Sequence, residues 1–293
     1  MSKASYHRRL LRRIRLPDLL TAANANVGNR TFSTPNIDNY MCEPSEPWMI
    51  DLLSRLLPER RGSFIDVGVN LGQTLLAVKA IAPDCPYLGV EPNPVCVAYV
   101  EKLKLLNALT DCSIVPVALG REIDLARLQH FRGNAVDSSA SLVENFRPEE
   151  RVSYVQIVPV FPFDRVAESA GITSVGLVKI DVEGAEADVI ATMLRAIVQH
   201  KPWIIMEILP CYRADNHDRI RRQNEIEANC AAIDYVIQRI HRGADGRLAT
   251  VAPIETIGIH SNMEWSDYIL CPRADLDRLR EVVSAPGRYS NAS

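Results

Sequence analysis

The residues best suited to chemistry in this chain are acids and glycines standing where short apolar runs end. Phe64-Ile65-Asp66-Val67 runs into Gly68-Val69-Asn70-Leu71-Gly72, and a second run, Tyr87 to Val90, ends in Glu91. Gly68 and Gly72 let a ligand approach main chain. The stripe Leu71, Leu75, Val78 and Ala82 predicts a helix whose first free N–H groups and positive dipole end face that ligand. A carboxylate about twenty residues past a glycine turn is where a dinucleotide fold holds a ribose diol. Asn70 fills the second glycine position of the nicotinamide fingerprint and no third glycine follows, so the turn matches a ribose better than a pyrophosphate. Further on, Val175 to Ile180 runs into Asp181, and the apolar stretch Trp203 to Leu209 contains Glu207. An acid in so apolar a strand must sit at the sheet end, be hydrogen-bonded, or belong to the site.

These side chains need a frame that brings their strand ends together. Strands are expected at Ser63–Val67, Tyr87–Val90, Ser113–Ala118, Val175–Ile180 and Trp203–Leu209. Helices are expected between them: one from Leu71, one from Pro94 with Asn93 as its cap, and one after Gly184. This rhythm predicts an α/β, doubly wound sheet of mostly parallel strands with right-handed crossovers, and ligands above the strands' carboxyl ends. A helix over Trp48–Leu57 leads into the first strand. Val155–Val160 predicts an additional strand, Phe163–Ser169 a short helix, Asn216–Ala232 a helix and Tyr235–Ile240 a strand. Ala244 to Gly246 predicts a turn and Asp267–Cys271 a last strand. If that last strand returns antiparallel, its lead-in brings His241, His260, Glu264 and Trp265 toward the ligand. Residues 121–153 break the rhythm. The small, polar stretch Asn134 to Ser141, which includes Ser139, is either a lid or a variable excursion.

The 293 residues, 47% of them hydrophobic, are enough for one large domain, taken as 47–275, with an extension or cap at 1–46 and a tail at 276–293. A net charge of -3 gives no general attraction to nucleic acid or anionic membrane. The seven cysteines are scattered without metal-ligand or disulfide-framework spacing, which points to a reduced, cytoplasmic chain. No apolar run reaches membrane-spanning length and the N-terminus lacks a signal-peptide core. Near the start, Lys3, Arg8, Arg9, Arg12, Arg13 and Arg15 alternate with Leu10, Leu11, Ile14 and Leu16 until Pro17. The extension has helical periodicity, and a solvated leader is preferred to a membrane-facing helix because the pattern stops early. Asn24 to Pro35 is expected to be polar loop.

Three segments resemble the FkbM-type methyltransferases: Phe64 to Gln73, Gly89-Val-Glu-Pro-Asn-Pro94, and Val178-Lys-Ile-Asp-Val-Glu-Gly-Ala-Glu186. Val69 stands where that family usually has Ala. The resemblance implies a Rossmann-like class I methyltransferase sheet of seven strands with an antiparallel last strand. It also implies S-adenosyl-L-methionine as cofactor and O-methylation of a hydroxyl on a sugar, glycan or polyketide-like natural product. By the same resemblance Asp66, Gly68, Asn70 and Gly72 line the methionine end, Glu91 with Asn93 the ribose, and Val117 and Ala118 the adenine. Asp181 is the first candidate for proton acceptor or acceptor-orienting group, beside the cofactor, and His260 the second. Ser139, Ser141, Glu183 and Glu207 are assigned to the acceptor side or lid. Asp181, Glu183 and Glu207 could share a divalent metal, but a helix dipole beyond Gly184 stabilises such acids without an ion, and no metal is assigned. The other readings are a nicotinamide-dependent oxidoreductase or epimerase, and a non-catalytic domain that binds an adenosyl ligand.

Overall fold

The apolar runs become the inner strands of a central sheet. The computed structural model describes residues 23–37 and 40–285. In chain order, a hairpin of β1 (Ala23–Val27) and β2 (Arg30–Thr34) precedes helix α1 (Pro47–Leu56). Then come β3 (Ser63–Val67), α2 (Gln73–Ile81), β4 (Tyr87–Val90), α3 (Pro94–Leu106) and β5 (Cys112–Val115). The interruption holds β6 (Ala118–Leu119), β7 (Asp124–His130) and β8 (Tyr154–Phe161), and α4 (Phe163–Ser169) follows. The core resumes with β9 (Val175–Ile180), α5 (Glu186–His200), β10 (Trp203–Glu207) and α6 (His217–Ala232). It closes with β11 (Tyr235–Arg242), β12 (Leu248–Pro253), β13 (Asp267–Pro272) and α7 (Leu276–Ser284).

The central sheet has eight strands in the order β12-β11-β13-β10-β9-β3-β4-β5. The five from β5 to β10 are parallel, and β13 lies antiparallel between β10 and β11. The doubly wound sheet with a reversed last strand is therefore present, with one strand more than expected. That extra strand, β12, is the second arm of a hairpin turning near Gly246 at the sheet edge. Every residue of β3 and β9 is buried, as continuous apolar runs covered on both faces should be. Helix α1 closes one face with Leu52, Leu53 and Leu56, none of which is exposed. Each such burial contributes roughly 1.5–3 kcal/mol. Val189, Ile190, Met193 and Ile197 of α5 close the other face.

Other sequence expectations change. The expected third strand is split, because Pro116 has no N–H for the ladder: β5 stops at Val115, and Ala118–Leu119 joins a separate sheet of order β6-β8-β7. Asn24 to Pro35 is largely a hairpin rather than a loop, with Ala25, Val27, Phe32 and Thr34 turned inward between polar neighbours. Residues 276–284 are helix rather than tail, with Leu279, Val282 and Val283 in the core. The basic stretch Lys3 to Arg15 lies outside the described residues.

Candidate active site

The glycine turn after β3 is built by contact between neighbouring strand ends. Gly68 has φ +90°, its N–H donates to the Val90 carbonyl at 2.9 Å, and a Cβ there would lie 1.9 Å from the Asp181 carbonyl oxygen. No side chain fits. The Asp181 N–H in turn donates to the Val67 carbonyl at 3.0 Å, so turn and strand end form one unit. The turn brings the Asn70 N–H to Glu91 Oε2 at 2.8 Å, while the Asn93 N–H donates to Glu91 Oε1, also at 2.8 Å. Burial pushes the Glu91 carboxyl up to about 7, against the opposing pull of the Asn93 and Asn70 N–H groups. Asn93 caps α3 by accepting from the Val95 N–H, and its amide donates to the Ala135 carbonyl.

A cavity of about 390 Å³ opens over these strand ends. Gly68, Asn70, Glu91, Asn93, Val117 and Ala118 line one part of it, and Asp181, Glu183 and Glu207 line another. The sequence thus brought nine of its candidates to one place. Asp66 and Gly72 are not in the wall. Asp66 is fully buried beneath it, accepting from the Tyr87 hydroxyl with Lys179 Nζ 3.5 Å away, and burial raises its pKa despite Lys179. Ser139 and Ser141 are buried in scaffold bonds rather than facing the cavity. The Ser139 hydroxyl donates to Asp137 at 2.5 Å, and the Ser141 hydroxyl donates to the Glu183 carbonyl at 2.6 Å. Their neighbours Asp137, Ser138, Ala140 and Leu142 form the wall instead. His260 packs edge-on against Trp265, 5.6 Å between centroids, and neither lines the cavity; His241 and Glu264 do not either.

The acidic end holds residues the sequence argument passed over. Lys179, two residues before Asp181, places Nζ 3.1 Å from Asp181 Oδ2. Burial pulls its pKa down, but the Asp181 and Asp66 carboxylates outweigh this and hold the ammonium above its usual range. Asp267 opens β13 directly opposite Glu207, and Arg242 ends β11 paired with Asp267 and stacked 4.7 Å over Trp48. Burial carries Asp267 up to about 6 against Arg242. Glu207 goes up to about 10 through burial and the carboxylates of Asp181, Asp267 and Glu183. Glu183, in the left-handed region at φ +53°, is held by Arg147 at 2.8 Å, and burial takes it up to about 7. Lys179 stood inside the quoted motif, and Asp267 was the first residue of the expected last strand. The available signal was a charged residue within or at the end of an otherwise apolar run. Among the described residues, no three His, Cys, Asp or Glu side chains are arranged to hold a metal ion.

The Methyltransferase FkbM domain matches residues 66–225, more than half of the chain and the whole stretch from the glycine turn through β10. The chain belongs to the FkbM methyltransferase family. Among solved structures it is similar to methyltransferase FkbM from Methylobacillus flagellatus KT, with 14% identity, a TM-score of 0.45, and cover of 72% of this chain and 43% of that one. It therefore spans less than half the length of that FkbM protein. It is also similar to precorrin-6y C5,15-methyltransferase from Geobacter metallireducens GS-15, with 11% identity, a TM-score of 0.37, and cover of 76% and 86%. A SAM-dependent O-methyltransferase from Thermotoga maritima gives 11% identity, a TM-score of 0.34, and cover of 75% and 62%. A comparison with curated proteins found no match.

The methyl donor of this FkbM methyltransferase domain is S-adenosylmethionine, and the cavity is chemically matched to it. Glu91 keeps free lone pairs for ribose hydroxyls, Val117 and Ala118 offer an apolar wall for a base, and the Asp181 carboxylate suits a sulfonium cation. The volume lies within the roughly 300–1,000 Å³ of small-molecule sites. The family match displaces the nicotinamide alternative.

Proposed function

We propose that this chain methylates a hydroxyl oxygen of a sugar, glycan or polyketide-like acceptor, with Asp181 receiving or orienting the hydroxyl proton. The observation that carries this reading is the position of the Asp181 carboxylate. It stands at the end of β9, 36% exposed, in the wall shared by the glycine turn and the acidic end, and Lys179 fixes one of its oxygens. When bound, S-adenosylmethionine supplies an electrophilic methyl group on a sulfonium. The residues Gly68, Asn70, Glu91, Asn93, Val117 and Ala118 would hold it, with Asp66 and Gly72 supporting the turn from behind. Glu183 and Glu207 would face the acceptor, accepting from or donating to its hydroxyls. The protein's part is alignment, removal of one proton and exclusion of water. A reduced, cytoplasmic setting belongs to the same reading, supported by seven free cysteines. Among the described residues, no helix is long and apolar enough to cross a membrane.

The test is transfer from methyl-labelled S-adenosylmethionine to a panel of monosaccharides, nucleotide sugars, oligosaccharides and hydroxylated polyketides, alongside amine and thiol analogues. Label recovered in an ether linkage supports the proposal. Transfer confined to nitrogen, sulfur or carbon overturns it.

A further inference from the structure

Lys179 stands opposite Asp66 in the β3–β9 ladder, with its Nζ 3.1 Å from Asp181 Oδ2, 3.5 Å from Asp66 Oδ1 and 3.4 Å from the Gly68 carbonyl oxygen. Asp66 accepts from the buried Tyr87 hydroxyl on its other oxygen. A line of polar side chains thus crosses three adjacent strands, from Tyr87 on β4 through Asp66 and Lys179 to the Asp181 carboxylate at the cavity. The remaining non-glycine residues of β9 are Val175, Leu177, Val178 and Ile180, all buried. Core packing alone would be served as well by an apolar side chain at 179 and at 66, because a buried ion pair is often no more stabilising than the hydrophobic residues that could replace it. A buried ammonium between two carboxylates therefore calls for a reason other than stability.

The geometry points to Lys179 as a positioning residue for methyl transfer. It holds the Asp181 carboxylate in one orientation and ties it to the carbonyl of the glycine turn, with Asp66 and Tyr87 as its anchor. This rests on the reading of Asp181 as the group that meets the acceptor proton. Asp181 is the more exposed partner, standing just past the end of β9, whereas Asp66 is fully buried and doubly contacted. Lys179 itself has a rigid stem inside the sheet, only 8% exposed. A carboxylate anchored from below by Lys179 turns a fixed face to the cavity, where Glu207 is its hydrogen-bonding neighbour. A reacting group displaced by about 1 Å can lose on the order of a hundredfold in rate.

Two measurements on the full chain test this. In side-chain nitrogen NMR of lysine-labelled protein, the Lys179 ammonium is expected as a slowly exchanging signal, absent in Lys179→Met and displaced in Asp181→Asn. A signal that Asp181→Asn leaves in place, or no protected signal at all, overturns the contact. In a double-mutant cycle on turnover, Lys179→Met should lower kcat about tenfold or more in the parent but less than about threefold in Asp181→Asn, with the KM for S-adenosylmethionine little changed. Equal losses in both backgrounds, or a loss confined to KM or to melting temperature, overturn the positioning role. Should Lys179→Met not fold, Lys179→Met with Asp66→Asn removes both buried charges and takes its place in the cycle. Failure of the Asp181 reading is distinguishable, because it shows as near-parental turnover in Asp181→Asn alone while the NMR contact persists.

Discussion

The Asn70 N–H donates to the Glu91 carboxylate at 2.8 Å, so the glycine turn and the acid at the end of the next strand form one preassembled cradle. Since the Asn93 N–H donates to the other carboxylate oxygen in the same way, both oxygens are oriented by main chain and each keeps a lone pair for a ligand. Glu91→Ala should weaken binding of S-adenosylhomocysteine by on the order of 1.5–3 kcal/mol, the value of hydrogen bonds to a charged group. The Glu91 carboxyl is raised to about 7, and hydroxyls donate best to its anion, so affinity of the parent should fall as the pH drops from 8 toward 6. Titration calorimetry at those pH values checks both. Unchanged affinity in the variant would exclude the ribose assignment.

Gly68→Ala tests the turn itself. The added methyl meets the Asp181 carbonyl at 1.9 Å in a left-handed backbone, so either the turn or the strand end must move. A loss of roughly 3 kcal/mol or more is expected in urea unfolding. A variant as stable as the parent would mean that the contact between β3 and β9 ends is not as tight as described.

Glu207 gives a prediction with a definite sign. Its folded-state pKa, about 10, lies above the ordinary carboxyl value, so its contribution to stability is complete at acid pH and is lost as the pH rises toward 10. Glu207→Gln does not titrate. Its melting temperature relative to the parent should therefore climb steadily from pH 5.5 to pH 9, as followed by calorimetry. A constant offset across that range would show that Glu207 does not hold its proton among Asp181, Asp267 and Glu183.

Much of this was legible from the chain because inner parallel strands are continuous apolar runs and their ends mark the site. Phe64 to Val67, Val175 to Ile180 and Trp203 to Glu207 announced themselves, and so did the Asn93 cap with Pro94 behind it. The antiparallel elements were harder. β1 and β2 are short and rich in Asn, Arg, Ser and Thr, and β12 has only Leu248 and Val251 turned inward, three residues apart rather than in strand alternation. Lys179 was missed because its identity suggests surface: Asp181 stands only two residues on, but Asp66 comes from a different part of the chain and meets Lys179 only in the fold. His260 was included on an assumption about which loop faces the ligand. The antiparallel β13 does reach the cavity, but through Asp267 at its first residue.

The excursion after β6 also turned out to be braced. Asp137 accepts from the N–H groups of Phe131, Arg132 and Ser139 and from the Ser139 hydroxyl, and these bonds hold its carboxyl below the usual range although burial alone would raise it. Asp137→Ala should cost about 2–3 kcal/mol and speed hydrogen exchange at Phe131, Arg132 and Ser139. In the parent those amides should be protected without ligand. Fast exchange there in the parent would restore the alternative of a lid that orders only on binding.

The most direct measurement of the central claim is turnover of Asp181→Asn with an acceptor identified by label transfer, alongside its affinity for S-adenosylhomocysteine. A group that meets the acceptor proton acts chiefly in the transition state, so turnover should fall by roughly a hundredfold or more while affinity changes little. Turnover near the parent's, with affinity intact, would contradict the assignment of Asp181 and leave it a structural strand-end acid.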